Sequence, residues 1–114
     1  MVIASQANPF ERFLEPGQGY TVSGYGDFVA KIRAWVEANP NKQMLYIHGD
    51  THTPRSGHPL TNLYPAASQL TPAGTPYNNF TRLEVYAQTA AFTNWFKVNV
   101  NPDGSFSIGT VTVP

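Results

Sequence analysis

The stretch QMLYIHGDTHTPR (residues 43–55) decides how this chain reads. Met44-Leu45-Tyr46-Ile47 is an apolar run of strand length, and it leads into His48, Asp50 and His52, three titratable residues spaced two apart. Alternate side chains of a strand point to one face, ~6–7 Å apart. If the strand continues through residue 52, two imidazoles and a carboxylate enter one space.

Working outward, Asp27 reads as the N-cap of a helix upstream. Phe28, Ile32, Trp35 and Val36 fall at i, i+4, i+7 and i+8 on one face, and Asn39-Pro40 ends it. VIAS (residues 2–5) reads as a short buried strand. Strand, helix and strand in this order predict a right-handed crossover joining two parallel strands. Downstream, residues 53–78 read as a long loop with five prolines, and a loop that long is often functional. FTRLEVYA and TNWFKVNV then carry period-two character, with Phe96, Val98 and Val100 facing one way. NPDG (residues 101–104) predicts a tight turn returning into SFSIGTVTV as a hairpin. The expected fold class is α/β, or mixed α+β, with a strand-helix-strand unit followed by an antiparallel meander and hairpin in one domain, 1–114. One helix cannot cover two sheet faces, so apolar sheet surface is expected to be left over.

Composition narrows the function. Seven basic and seven acidic side chains give zero formal charge, so nothing draws the chain to nucleic acid or to an anionic membrane. Low charge also leaves self-association undiscouraged. The absence of cysteine removes thiolate ligands, so any metal is held by nitrogen and oxygen. No apolar run approaches the ~18–20 residues of a membrane span. MVIASQANPF lacks the basic flank and long apolar stretch of a signal peptide, which places the chain as given in the cytoplasm.

The His48/Asp50/His52 cluster falls at the carboxyl end of a strand in an α/β unit, where ligand sites are built. Its donors suit zinc, manganese, iron or magnesium to differing degrees. The alternative is a buried strand histidine at 48, a turn-forming aspartate at 50 and an exposed histidine at 52. Arg55 is placed to bind an anionic substrate as a bidentate fork, or to be a solvated loop arginine. His58 is a candidate general acid, or a solvated loop histidine beside Pro59. Glu11 and Glu15 are weak ligand candidates in the first loop. Arg82 and Glu84 alternate on one strand face and read as a surface pair. The sequon Asn79-Phe80-Thr81 carries little meaning in a chain with no secretion signal.

YIHGDTHTPRSGHPL, followed about twenty residues later by NFTRLEVYAQ, resembles the C-terminal segment of calcineurin-like metallophosphoesterases. WFKVNVNPDGSFSI fits the closing hairpin of that family, and VIASQANPF its strand before the penultimate metal motif. The resemblance implies half of a two-sheet β-sandwich built around a two-metal site. On the family's Gly-His-x-His motif, Gly49 takes the glycine, Asp50 the first histidine position, Thr51 the spacer and His52 the final histidine. Asp50 departs from the general pattern, although a GDTH version with Arg55 and Pro59-Leu60 suits one branch. Gln6 stands where an earlier histidine motif would fall, and the family's N-terminal metal motifs have no counterpart.

A half-site of this kind implies completion by a second copy, as a homodimer or higher homo-oligomer. The implied activity is hydrolysis of phosphate mono- or diesters by a metal-bound hydroxide, on one or two Zn, Mn or Fe ions held by His48, Asp50 and His52. Arg55 would bind the phosphoryl oxygens, and His58 or an unligated histidine of the cluster would protonate the leaving group. Two alternatives stay open: a folded but inactive fragment, and a closed, purely structural metal site between chains.

Overall fold

The computed structural model describes residues 1–10, 14–15, 19–20, 25–50, 53–63, 74–86 and 94–112. Along the chain run β1 (Val2–Ser5), β2 (Leu14–Glu15), β3 (Gly19–Tyr20), α1 (Gly26–Ala38), β4 (Met44–His48), β5 (Arg55–Gly57), β6 (Phe80–Glu84), β7 (Asn94–Val100) and β8 (Phe106–Thr112). The main sheet has the order β1-β4-β6-β5. β1 and β6 both pair parallel to β4, and β5 closes the far edge antiparallel to β6. The remaining strands form two hairpins, β2-β3 and β7-β8.

The crossover through α1 joins two neighbouring parallel strands, as the sequence predicts. The meander is corrected. FTRLE does not pair with the next strand but inserts beside β4, with Met44 opposite Phe80 and His48 opposite Glu84. The physical reason is apolar content: β4 is buried on both faces and needs a ladder partner on each side, and β1 supplies only one. The long loop is corrected too, because Arg55–Gly57 forms an edge strand within it. β1 is an edge strand with three of its four residues exposed, not a buried one.

The helix lies where its periodicity puts it, but its buried stripe is rotated by one residue. Val29, Ile32 and Val36 carry it, while Phe28 is 38% exposed. Asp27 sits in the first turn, where its charge suits the helix dipole, and no side chain caps that end. The stripe packs against Met44, Tyr46, Phe80, Phe10 and Leu60 to form the core. Phe10 bridges these elements, edge-on to Tyr46 with ring centroids 5.2 Å apart and to Phe80 at 5.4 Å.

Asn79 locks the helix to the sheet. Its buried Nδ2 donates to the carbonyls of Val36 and Asn39 at 3.1 Å and of Lys42 at 3.3 Å. These add a side-chain donor to carbonyls at the end of α1 and in the turn after it, where the regular helical bonds run out. The sequon asparagine is therefore committed to the interior and closed to modification in the folded chain.

The opposite sheet face is not left bare, which corrects the expected surplus. Leu45 and Leu83 point there and are buried. The β7-β8 hairpin lies beside them, its Trp95, Phe96 and Val98 sharing a cleft of about 230 Å³ with Ile47, Leu83 and Val85. Phe96 stacks on Tyr86 at 4.9 Å. Val100, expected to follow Phe96 and Val98 inward, is 60% exposed at the strand end.

Asn101–Gly104 makes the tight turn, with Gly104 N–H bonded to the Asn101 carbonyl at 2.9 Å and Gly104 in the left-handed region at φ 84°. Asp103 Oδ1 accepts from Ser105 N–H (2.9 Å) and Ser105 Oγ–H (2.7 Å), and these bonds hold its carboxyl below the usual range. A depressed carboxylate contributes above its unfolded value, ~3.9, and its contribution is lost as pH falls through the lowered folded value. The hairpin-tip amide of Ser105 is accordingly expected to lose hydrogen-exchange protection below that range, and Asp103→Asn should remove this pH dependence. Exchange rates read across the acid range by NMR check it.

Candidate functional site at the carboxyl ends of the parallel strands

β1, β4 and β6 run parallel, so their carboxyl ends share one side of the molecule. The register places Ser5, His48, Glu84 and Arg55 in one row across the sheet, on the helix-facing side. The row before it carries Ile3, Tyr46, Arg82 and Gly57. Towards the amino ends this face is apolar core, and towards the carboxyl ends it becomes a polar floor.

His48 is 1% exposed. Its Nδ1 lies 2.8 Å from the Gly49 carbonyl, which can only accept, so Nδ1 carries the proton. Nε2 is buried and has no hydrogen-bond partner among the described residues. The rings of Phe10 and Tyr46 lie 6.4 and 6.1 Å away.

The alternation expected through residue 52 does not hold at Asp50. β4 ends at His48, and Asp50 takes φ 82°, the left-handed region that non-glycine residues seldom occupy. The chain therefore turns, and the exposed Asp50 does not simply repeat the orientation of His48. Its Oδ2 accepts from Asn8 N–H at 3.3 Å, while Gly49 N–H bonds to the Gln6 carbonyl at 3.1 Å. The loops after β1 and β4 are thus stitched together. Asn8, itself buried, also accepts Phe10 N–H on Oδ1, which sets Phe10 over Tyr46. His52 lies outside the described residues, as do Glu11 and the side chain of Glu15.

Arg82 and Glu84 are not a surface pair. Glu84 is 0% exposed and Arg82 9%. Both Glu84 oxygens are engaged: Oε1 accepts Thr53 N–H at 3.1 Å and Oε2 accepts Arg55 Nε–H at 2.9 Å. Arg55 is thus bound to a buried carboxylate, not simply solvated. Burial, then the nearby Arg55 charge, lower the Arg82 pKa, and Glu84 opposes them. Tyr46 donates to Ser5 Oγ at 2.6 Å, since that hydroxyl gives its own proton to the Ala7 carbonyl, and burial raises the Tyr46 phenol pKa.

The fold therefore assembles His48, Glu84 and Arg55 in one row, with Asp50 just beyond it. His58 is elsewhere. Its Nδ1 bonds to the Phe80 carbonyl at 2.5 Å, at the amino end of β6. Phe80 and Glu84 are four residues apart on that strand, about 13 Å at the usual rise. Arg82 and Glu84 were missed as site residues because FTRLE was assigned to the wrong partner. Aligned in parallel with MLYIH, their alternation drops them beside Tyr46 and His48.

Among the described residues no three histidines, aspartates or glutamates group as a metal cluster, and no helix is long and apolar enough to cross a membrane. No family model, curated protein or solved structure matches this chain.

Proposed function

We propose that this chain is a metal-dependent hydrolase of phosphate mono- or diesters, in the manner of the C-terminal segment of a calcineurin-like metallophosphoesterase. The reading rests on the conformation of Asp50. A non-glycine residue held at φ 82° on an exposed turn, at the carboxyl end of parallel strands, is the kind of local strain that clusters at functional sites.

The donors present suit a divalent ion of the zinc, manganese or iron type. Asp50 offers a carboxylate whose one bond among the described residues is long, and His48 offers an imidazole nitrogen with no hydrogen-bond partner among the described residues. Four ligands complete a zinc shell. His52 is the next donor in sequence, and a second copy in a homodimer carries the same set. A divalent ion supplies Lewis acidity and water of lowered pKa when bound. The chain's own residues position the reactants. Asn8 N–H orients Asp50, Glu84 orients the Arg55 guanidinium through Nε, and Arg55 binds phosphoryl oxygens. His58 is not needed in this scheme.

Asp50→Asn tests it. Asparagine tolerates the left-handed region and keeps an oxygen for Asn8, so stability should change by no more than about 0.5 kcal/mol. Metal content after dialysis, measured together with mass in solution, should fall from near-stoichiometric on a dimer to background. Hydrolysis of an aryl phosphate ester should be lost with it. Wild-type protein that holds no metal and cannot be reloaded would instead leave an inactive folded fragment.

A further inference from the structure

We propose that Arg82 is the cationic seat of a phosphoryl oxyanion, reached through the open space beside Gly57, with Arg55 as the second cation. The inference deepens the hydrolase reading and rests on it for the identity of the anion as part of a substrate.

Arg82 projects from the middle of β6 onto the helix-facing side and is nine-tenths buried. Its Nε has no hydrogen-bond partner among the described residues. A guanidinium is not deprotonated in proteins, so a buried one carries a lasting charge that calls for a counter-ion. Among the described residues the carboxylate in reach is Glu84, and its two oxygens already accept from Thr53 N–H and Arg55 Nε–H. Among the described residues, the buried Arg82 charge is thus offset only by a carboxylate that already holds Arg55. An oxyanion is the chemistry that balances it, and the planar fork of arginine suits phosphoryl oxygens.

The register supplies the way in. Gly57 stands directly opposite Arg82 on edge strand β5, and a Cβ added there would meet nothing within 4 Å among the described residues. Directly opposed side chains share a face. The missing side chain of Gly57 therefore leaves room beside the Arg82 side chain, where any larger residue would project.

The test uses the full chain, freed of metal by chelation and titrated with inorganic phosphate at constant ionic strength held by chloride. Isothermal titration calorimetry should give phosphate binding in the wild type that chloride does not reproduce. Arg82→Met should weaken it about ten-fold or more, the size expected for losing a charge-assisted bond. Its melting temperature without phosphate should hold or rise, since an unpaired buried charge has been removed. Gly57→Val keeps the guanidinium but fills the opening, and should weaken binding as much. If Arg82→Met does not fold, Gly57→Val decides. Phosphate binding that is absent in the wild type, or unchanged in the folded variants, overturns the seat. Because no metal is present, phosphate binding without metal-dependent turnover would retain the seat and reject the hydrolase. Turnover with no phosphate response in metal-free protein would do the reverse.

Discussion

Replacing Glu84 with glutamine is expected to lower the unfolding free energy by about 3 kcal/mol, the low end of the cost of stripping one partner from a buried ion pair. The low end applies because Arg55 is about one-third exposed and keeps part of its hydration, whereas Glu84 has none to regain. Glutamine preserves the shape and one acceptor oxygen, so the loss is electrostatic: the Glu84 charge no longer offsets the repulsion between Arg55 and Arg82. For a domain whose total stability is ~5–15 kcal/mol this is a large fraction. Urea unfolding at neutral pH should show a lower midpoint at an unchanged m-value. Adding Arg82→Met to the same chain should recover part of the loss, because it removes one of the two stranded charges. A double variant no more stable than Glu84→Gln alone would show that the penalty lies in the lost Thr53 and Arg55 bonds.

Truncating Asn79 to alanine comes next in size, at about 2–3 kcal/mol. One buried amide serves three carbonyls, at the end of α1 and in the turn after it, and alanine leaves them without that donor. Asn79→Asp should be worse than alanine at neutral pH, since a carboxylate would face those three carbonyl oxygens, and acid should restore part of its stability by protonating it. Thermal melts at two pH values separate the two variants. Equal melts for aspartate and alanine would mean that the amide does not face the carbonyls.

Much of the local structure was legible. The i, i+3, i+4 rhythm of residues 27–38 can bury one side only as a helix, and Asn39-Pro40 cannot continue it. NPDG bends for reasons contained in its own four residues. The apolar run at 44–47 had to be an interior strand, and the pair it makes with VIAS followed from the helix between them. The cluster after it was legible as residue types but not as a geometry. Periodicity cannot reveal that β4 stops at His48, nor that Asp50 turns left-handed to meet a backbone N–H 42 residues away.

Composition and local periodicity thus determined an α1 helix, a buried β4, a β7-β8 hairpin, and a set of nitrogen and oxygen donors without thiolates. Tertiary pairing decided the rest. FTRLE alternates equally well for either neighbour, and what settled its place was the unfilled hydrogen-bonding side of β4. That choice carried Arg82 and Glu84 from an expected surface to the interior, because side-chain direction follows strand register and register depends on residues far away in sequence. A buried charge beside a glycine gap is a property of three strands together, and none of them holds it alone.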